Sequence, residues 1–459
     1  MTGEAFLAIV VVLGAPLLII PFLRRHREAW MLAQAALAAA GALALLLAAT
    51  TPGAQLFGGE AEIDPFSMAI LFIGVLDTLL AVHGSIDAVG AYPDPSGYYS
   101  VALLAVLGVA GIAVSNSVTL LMASWILFSV ASFALVALPK DKYSVASAVK
   151  YAIMGSASST LLFLSFGIML FVSGSLHFVE ARITFPNILV SALLFLAAAI
   201  GFKMGVFPFH GWLPDTYGDA DPVPIAYISS LAKIAGILAI YRAAKIIAAP
   251  LGSTWLLVLA LFAIATMTYG NIAALLQDEL QRLLAYSSIA QAGYLLVGVA
   301  ALSAVPGVNM EWVYYGLAFQ LAAYAFAKTG TFLTASAIRG RGEPPAKLSR
   351  LAGLYAESPA LAASFALLIF SLMGMPPLAG FWGKLYLFLS VVAPAPWLTA
   401  AALINTGIAA AYYARAIKAV YFEEGQGSYT VGPSLERAVV LCAAATLVAG
   451  ILPFLLFFL

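Results

Sequence analysis

Long runs of apolar residues, separated by short polar connections, dominate the sequence. Runs long enough to cross a bilayer as α-helices occur in about fourteen segments. Their approximate limits are 5–23, 29–50, 65–83, 98–115, 117–138, 146–174, 186–206, 223–248, 252–271, 281–303, 312–338, 357–389, 396–422 and 434–458. This pattern predicts an all-α polytopic membrane protein.

Two of the predicted helices contain a break. The run 357–389 is too long for one straight crossing, and its middle reads Met373-Gly-Met-Pro-Pro-Leu-Ala-Gly380. The seventh run ends in Gly205-Val-Phe-Pro208. Irregular backbone at membrane depth is tolerated only inside the protein or beside a wet cavity. Breaks in two separate parts of the chain indicate a duplicated transporter architecture.

The composition narrows the class further. The chain is 63% hydrophobic and 9% charged, with a mean hydropathy of +1.02, whereas soluble domains are about half apolar and about a quarter charged. Its net charge is zero, which gives no indication of a nucleic-acid partner. The single cysteine, Cys442, lies in an apolar run, and no Cys/His spacing predicts a metal site.

Basic residues in the connections predict the orientation. One side holds Arg24, Arg25, Arg27, Lys140, Lys142, Arg339, Arg341, Lys347, Arg350, Arg415, Lys418 and Arg437. The other side holds only Arg182, Arg242 and Lys245. The basic side is therefore expected to be cytoplasmic, and an even number of helices places both termini outside. The first run lacks a small-residue cleavage site and is expected to be retained.

Four lysines fall inside runs that should lie in lipid: Lys203, Lys233, Lys328 and Lys384. Asp77 is the only acid at comparable depth. One charge at the bilayer centre costs about 3 kcal/mol on insertion scales, so four cost about 12 kcal/mol. Charges at such positions typically mark a path for protons or ions.

Each lysine also has a structural interpretation. Lys203 and Lys384 lie near the ends of their runs, where a lysine can snorkel to the interface. Lys233 is too deep for that, and its alternative is a carbonyl that fixes the amine. For Lys328, a relay and a fixed counter-charge explain the position equally well.

Histidine and aspartate positions also leave alternatives open. His210 could relay a proton, because imidazole titrates near neutral pH, or cap a broken helix. Asp77 could pair with a lysine, although a structural contact between helices is the commoner role. The group Asp215, Asp219 and Asp221 is more typical of a solvated turn than of a cation site.

Three motifs resemble the antiporter-like subunits of respiratory complex I. They are Phe207-Pro-Phe-His-Gly-Trp-Leu-Pro-Asp215 with Pro222-Val-Pro224 and Lys233, then Arg282-Leu-Leu-Ala-Tyr-Ser-Ser-Ile-Ala-Gln-Ala-Gly-Tyr294, and Pro376-Pro-Leu-Ala-Gly-Phe-Trp-Gly-Lys384. The resemblance covers roughly residues 100–420. This family includes the L-, M- and N-type subunits, the Mrp sodium/proton antiporters and subunits of membrane-bound hydrogenases.

Within the family, the N-type resemblance is the strongest. The segment Ala148-Val-Lys-Tyr-Ala-Ile-Met-Gly-Ser-Ala-Ser-Ser159 is similar to N-type span six, and Asn405-Thr-Gly-Ile-Ala-Ala-Ala-Tyr-Tyr-Ala-Arg415 is similar to span thirteen. Lys384 matches the N-type lysine of span twelve, where the M-type has a glutamate.

The resemblance implies a channel of two inverted five-helix repeats, in 98–250 and 251–425, after N-terminal helices in 1–97 and before a C-terminal helix in 426–459. Lys203 and Lys233 would form the central relay and Lys384 the outlet. Lys328 and His210 are further relay candidates.

The implied function is proton translocation in the membrane arm of a complex I-like oxidoreductase that passes electrons from NADH or another reduced carrier to quinone. The sequence carries no Gly-rich nucleotide fingerprint and no haem-ligand pattern. We therefore expect no cofactor in this chain. Quinone, FMN or another carrier, and iron–sulfur clusters are expected in partner subunits.

The expected partners are the M-, L-, K-, J-, A- and H-type membrane subunits and a peripheral redox arm, in the plasma membrane of a prokaryote. One alternative is a subunit of a Mrp-type cation/proton antiporter or of a membrane-bound hydrogenase. Another is a structural subunit that keeps the fold and no longer pumps.

The sequence departs from the family in one respect that bears on pumping. The family has Glu-Leu-x-Ser in span five, and its glutamate pairs with the lysine of span seven. Here the stretch reads Trp125-Ile-Leu-Phe-Ser129, which puts Ile126 at the glutamate position and leaves Lys203 without its partner. The family histidine of span ten is Gln291, so the relay along the central axis is expected to be rewired or lost.

Overall fold

Helices account for most of the chain. The computed structural model describes residues 2–23, 25–178, 186–303, 305–425, 429 and 431–457. The first helices are α1 (Thr2–Ile19), α2 (His26–Thr50), α3 (Pro65–Gly84), α4 (Ile86–Gly90), α5 (Pro95–Val114), α6 (Val118–Ala137), α7 (Lys142–Ser173), α8 (Leu189–Met204) and α9 (Trp212–Asp219). The remaining helices are α10 (Pro222–Leu251), α11 (Ser253–Leu275), α12 (Leu280–Ala300), α13 (Met310–Ile338), α14 (Leu354–Glu357), α15 (Pro359–Met373), α16 (Ala379–Val391), α17 (Pro396–Tyr421) and α18 (Pro433–Phe457).

The predicted apolar runs coincide with these helices, and the all-α membrane class is confirmed. Among the described residues, nine helices are long and apolar enough to cross a membrane, and three more apolar helices are shorter. The count of fourteen crossings and the boundaries of the two repeats stay predictions. So does the orientation, and two of the residues used for it, Arg24 and Arg182, lie outside the described part of the chain.

A small hairpin was not predicted. Strands β1 (Gln55–Leu56) and β2 (Ala61–Glu62) pair antiparallel, with Gln55 opposite Glu62. Four short 3₁₀ turns complete the described structure, at Ile20–Phe22, Phe57–Gly59, Pro186–Ile188 and Leu348–Leu351.

Both predicted helix breaks are confirmed, and they share one design. In the first, α8 ends at Met204 and Gly205 follows with φ of +78°. In the second, α15 ends at Met373 and Gly374 follows with φ of +92°. Glycine adopts this left-handed conformation without steric cost. The prolines that follow belong to cis peptide bonds in both places, Phe207–Pro208 and Pro376–Pro377.

The inner layer of the bundle is formed by α10, α12 and their neighbours. In the most apolar 18-residue stretch of α10 every residue is buried, and in that of α12 the buried share is 94%. In the corresponding stretches of α2, α7 and α18 the buried share is only 39%. Helix α10 packs against α3, α5, α8 and α13, and α13 packs against α15, α16 and α18. The lysine-bearing helices α8, α10, α13 and α16 are therefore close neighbours.

Aspartates determine where several helices begin. Asp64, Asp94, Asp141 and Asp221 occupy the N-cap positions of α3, α5, α7 and α10, and each accepts a backbone N–H from the first turn. Asp221 is therefore the N-cap of α10, and its partial exposure is consistent with the expected turn. Its neighbours are engaged too, since Asp215 pairs with Lys150 at 3.0 Å and Asp219 pairs with Arg282 at 3.0 Å.

Candidate functional site

All four lysines are buried, at 0 to 4% exposure. Snorkelling is therefore excluded for Lys203 and Lys384, because neither side chain extends to the surface of the bundle. Among the described residues, none of the four forms an ion pair. Hydroxyls, carbonyls and aromatic rings stabilise the amines instead.

Lys203 lies in a cradle of hydroxyls and rings formed by α6 and α7. Its Nζ donates to Ser129 Oγ at 3.2 Å and to Ser132 Oγ at 3.3 Å. The ring centroids of Phe128 and Tyr151 lie 4.4 and 5.2 Å from the amine. Ring faces attract a cation electrostatically, so the cradle suits a charged amine without supplying a negative charge.

The assignment of the family glutamate position to Ile126 stays a prediction. The Ile126 side chain is 44% exposed, and the residues of α6 that accept hydrogen bonds from Lys203 are Ser129 and Ser132. Ser129, the serine of the Glu-Leu-x-Ser match, therefore contacts the lysine directly, and no carboxylate pairs with Lys203 among the described residues.

Lys233 is the least satisfied of the four amines. Its Nζ has no hydrogen-bond partner among the described residues, so the carbonyl expected as an alternative is not found there. The nearest polarisable groups are rings, with the centroid of Tyr324 at 4.8 Å and that of Tyr217 at 6.0 Å. A buried amine without a partner is costly, which favours a role for this site in exchange of protons over a role in stability.

Lys328 lies beside Lys233 and is well bonded. Both amines contact the ring of Tyr324, and that of Lys328 lies 5.8 Å from the centroid. Lys328 Nζ donates to Leu284 O at 2.7 Å and to Ser287 Oγ at 2.8 Å. The link to a hydroxyl makes Lys328 the first member of a longer polar chain.

That chain continues through α12 and α17. The Ser287 hydroxyl and the Tyr413 hydroxyl are 2.7 Å apart, and Gln291 Nε2 donates to the Tyr413 hydroxyl at 3.2 Å. Gln320 Nε2 donates to Gln291 Oε1 at 2.7 Å and fixes the orientation of that amide. Gln291, which the sequence suggested as the loss of a relay histidine, therefore occupies the centre of a hydrogen-bond network.

The broken helix α15–α16 joins this network to Lys384. Gln291 Nε2 also donates to Leu372 O at 2.9 Å, and Lys384 Nζ donates to the same carbonyl at 3.1 Å and to Met373 O at 3.0 Å. These carbonyls are free because α15 ends at Met373. Lys328 and Lys384 thus belong to one polar chain. Sequence reasoning missed Ser287 and Tyr413, which stand in quoted motifs with no feature that marks them.

Asp77 lies on α3 and contacts α10. It is fully buried, and Ser230 Oγ donates a hydrogen bond to its Oδ2. Its Oδ1 has no partner among the described residues. Ser230 is three residues before Lys233, so the two side chains share one face of α10. The structure therefore supports the contact between helices expected of Asp77, and it shows no direct ion pair with a lysine among the described residues.

His210 lies in the break between α8 and α9. Its ring is 4.3 Å from Tyr269 and 5.5 Å from Phe207, centroid to centroid, and its Nδ1 has no partner among the described residues. None of its described contacts involves a buried lysine. A relay role for His210 stays a prediction.

Charge at one end of the bundle is organised around Asp221 and Arg339. Arg339 is buried and donates to Ala220 O at 2.7 Å and to Asp219 O at 2.8 Å. Burial raises the pKa of the Asp221 carboxyl, whereas the Val223 amide, the Tyr92 hydroxyl and Arg339 act in the opposite direction. This end of α10 is therefore a polar entrance to an otherwise apolar bundle.

The fold and the buried lysines define an antiporter-like membrane protein, and comparison with known proteins specifies the family. Residues 115–409 match a family model described as NADH:quinone oxidoreductase/Mrp antiporter, TM. F(420)H(2) dehydrogenase subunit N of Methanosarcina mazei is 32% identical over 87% of this chain and 83% of its own length. NADH-quinone oxidoreductase subunit N of Granulibacter bethesdensis is 32% identical over 94% and 91%.

Solved structures agree with this assignment. A chain of respiratory complex I from Thermus thermophilus, solved with aureothin, superposes with a TM-score of 0.84 at 28% identity and covers 98% of both chains. A chain of the Mrp complex from Dietzia sp. shares the fold, with a TM-score of 0.83 at 20% identity over 99% of this chain and 95% of its own. This chain belongs to the NADH:quinone oxidoreductase/Mrp antiporter membrane family, and the predicted N-type resemblance is confirmed.

Proposed function

We propose that this chain is a proton-translocating subunit in the membrane arm of a complex I-like oxidoreductase. Relatives named as subunit N of NADH-quinone oxidoreductase and of F(420)H(2) dehydrogenase support this proposal. Electron transfer from NADH or another reduced carrier to quinone takes place in partner subunits, which hold the FMN or other carrier and the iron–sulfur clusters. This chain itself binds no cofactor.

The assembly also includes M-, L-, K-, J-, A- and H-type membrane subunits. It lies in the plasma membrane of a prokaryote, with the basic connections on the cytoplasmic side and both termini outside. Solved relatives of this fold come from multi-subunit complexes, which supports a place among partner subunits.

The observation that carries the proposal is the polar chain from Lys328 to Lys384. Its hydroxyls, those of Ser287 and Tyr413, can each accept one proton and donate another. A proton that leaves Lys328 therefore has bonded acceptors toward the second helix break. Lys384, held by the free carbonyls of α15, is the last amine of this path and acts as the outlet.

Gln291 gives this path a gate. The amide nitrogen that joins Tyr413 to Leu372 O only donates hydrogen bonds, so a proton does not pass through it as through a hydroxyl. Transfer to Lys384 requires the Gln291 side chain to move or water to bridge the gap. Gating of this kind couples proton release to a conformational change driven by the partner subunits.

A structural subunit that no longer pumps is the second candidate. The observation in its favour is the serine cradle of Lys203, which offers no carboxylate for exchange of ion pairs. Lys233, Lys328 and Lys384 keep a buried path that such a subunit does not need, and we therefore prefer the proton-translocating role.

Purification of the intact assembly tests the proposal against the antiporter alternative. We expect this chain to copurify with redox subunits, and the reconstituted complex to acidify one side of the vesicle when quinone is reduced. A complex of small membrane subunits alone, which exchanges cations for protons without electron transfer, would contradict the proposal and support a Mrp-type antiporter.

A further inference from the structure

A cavity of about 430 Å³ opens at the end of the bundle where α3 ends and α10 begins. Its lining includes the carboxyl groups of Asp87, Asp141 and Asp221 and the side chains of Arg339 and Arg341. This end carries connections predicted to face the cytoplasm. A polar cavity of this size holds several water molecules, so it is a reservoir from which protons can enter the bundle.

Tyrosine hydroxyls lead from the cavity toward the membrane interior. Tyr92 lines the cavity, and the rings of Tyr98 and Tyr227 follow at centroid distances of 5.7 and 6.2 Å. The Tyr92 hydroxyl faces Asp221, and the Tyr98 hydroxyl faces Tyr227 and Ser85. All three tyrosines are at least nine-tenths buried, and although polar groups lie beside their hydroxyls, none of the three forms a hydrogen bond of good distance and angle among the described residues.

These hydroxyls lack well-formed hydrogen bonds among the described residues. A buried hydroxyl left unsatisfied costs about 1–3 kcal/mol, and three successive ones at such a cost are unusual in a native protein. Water between the hydroxyls would satisfy them and would connect the cavity with Tyr227. Hydroxyls and water both donate and accept, which is the requirement for proton transfer along a file.

Helix α10 continues the file toward Asp77. Tyr227, Ser230 and Lys233 recur every third residue and so follow one another along one side of the helix. Ser230 donates to Asp77 Oδ2, and the Thr329 hydroxyl, which donates to Ala226 O at 2.9 Å, lies beside the same carboxyl group, whose Oδ1 accepts no hydrogen bond of good geometry among the described residues.

Along the helix axes, Asp77 lies at a depth between that of the cavity and that of Lys233. Asp77 lies seven residues from the end of α3 at the cavity, about 10 Å along the helix. Lys233 lies eleven residues from the start of α10, about 17 Å from the same end. Its unpartnered amine lies deeper in the bundle than the carboxyl group.

We propose that Asp77 is a proton-loading carboxyl group, filled from the Asp221 cavity through Tyr98 and Tyr227, that delivers its proton to Lys233. Loading forms an O–H bond on Asp77 with a proton taken from the cavity. Delivery breaks that bond and forms an N–H bond on the neutral amine of Lys233, and the carboxylate left behind is stabilised by the Ser230 hydroxyl. The inference rests on the proposed proton-translocating function.

The test measures protons moved per electron in the complete complex reconstituted into liposomes, with electron transfer measured separately in the presence of an uncoupler. We expect Asp77→Asn to lose as many protons per electron as Lys233→Ala, and Asp77→Glu to keep the wild-type ratio. Infrared difference spectra should contain a carboxyl C=O band that Asp77→Asn removes. Thr78→Val is the matched control, because the neighbouring Thr78 is buried and bonds Gly74 O at 2.8 Å within its own helix.

The outcomes separate this inference from the proposed function. If Lys233→Ala loses protons per electron and Asp77→Asn does not, Asp77 is not a loading site and the proposed function stands. If neither variant changes the ratio, the proposed function itself fails. An equal loss in Thr78→Val would show that disturbance of α3 explains the effect. If Asp77→Asn does not assemble, Tyr227→Phe provides the test, because it removes one hydroxyl of the file and keeps the ring. A wild-type ratio of protons to electrons in Tyr227→Phe overturns the inference.

Discussion

Lys203 shows how a single residue keeps a buried positive charge without a buried negative one. Two serine hydroxyls accept its hydrogen bonds, and aromatic rings surround the amine. Hydroxyl dipoles orient toward a charge at little cost, whereas a carboxylate partner in the same place has its own desolvation penalty. The arrangement stabilises the amine but provides no second charge with which it could exchange.

Removal of both hydroxyls tests this account of Lys203. The double variant Ser129→Ala/Ser132→Ala leaves a buried amine without hydrogen-bond acceptors. We expect the free energy of unfolding in detergent to fall by about 1–3 kcal/mol or more, because an unsatisfied buried group loses its full compensation. The control is Ser156→Ala, since the exposed Ser156 bonds Ala152 O in its own helix. Equal stability of the double variant and the control would contradict the account.

Gln291 makes a second prediction at this scale. Gln291→Leu removes the amide that gates the chain between Tyr413 and Leu372 O, so we expect proton release to lose its coupling to electron transfer, with fewer protons per electron and electron transfer retained. The control is Gln277→Leu, because the Gln277 amide bonds Ala273 O locally, outside the network. A wild-type proton ratio in Gln291→Leu would show that Gln291 does not gate the chain between Lys328 and Lys384.

Among the secondary-structure elements, the two helix breaks after α8 and α15 are the features most directly related to function. Each begins with a left-handed glycine after the last helical turn, and its backbone N–H caps two carbonyls of that turn, while in the second break Leu372 O and Met373 O are left without backbone partners among the described residues. In the second break those carbonyls bind Lys384. The helix end thus supplies a negative partial charge where the sequence supplies no acid.

Substitution of the first of these glycines tests how strictly the break is required. A Cβ on Gly205 would lie 2.3 Å from Leu213 Cδ1, at a φ of +78°. We expect Gly205→Ala to lower the free energy of unfolding by about 1–2 kcal/mol from the conformation alone, with a further loss from the clash. Gly167→Ala is the control, because open space surrounds Gly167 in α7 and the change should stabilise the helix by about 0.5–1 kcal/mol. Similar unfolding curves for the two variants would contradict this prediction.

At the scale of the whole molecule, the apolar pattern predicted the helices, the breaks and the burial of the lysines. Bilayer thickness sets the length of each apolar run, and glycine with proline marks the breaks. Helix lengths and helix breaks can therefore both be predicted from the linear sequence. The direction in which a side chain leaves its helix cannot be predicted in this way. Ile126 and Ser129 lie on different sides of α6, and the structure shows that Ser129 faces Lys203. The network around Gln291 was likewise unpredictable, because it depends on a carbonyl of α15 and a hydroxyl of α17.

The central claim is that protons cross the membrane through the buried lysines of this chain. Lys233→Ala in the reconstituted complex tests it most directly, through the ratio of protons translocated to electrons transferred. The matched control is Lys150→Ala, because the exposed Lys150 pairs with Asp215 on the surface. The account predicts a lower ratio for Lys233→Ala, with electron transfer retained in the presence of an uncoupler, and an unchanged ratio for the control. An unchanged ratio in Lys233→Ala would remove this chain from the proton pathway and favour a structural subunit.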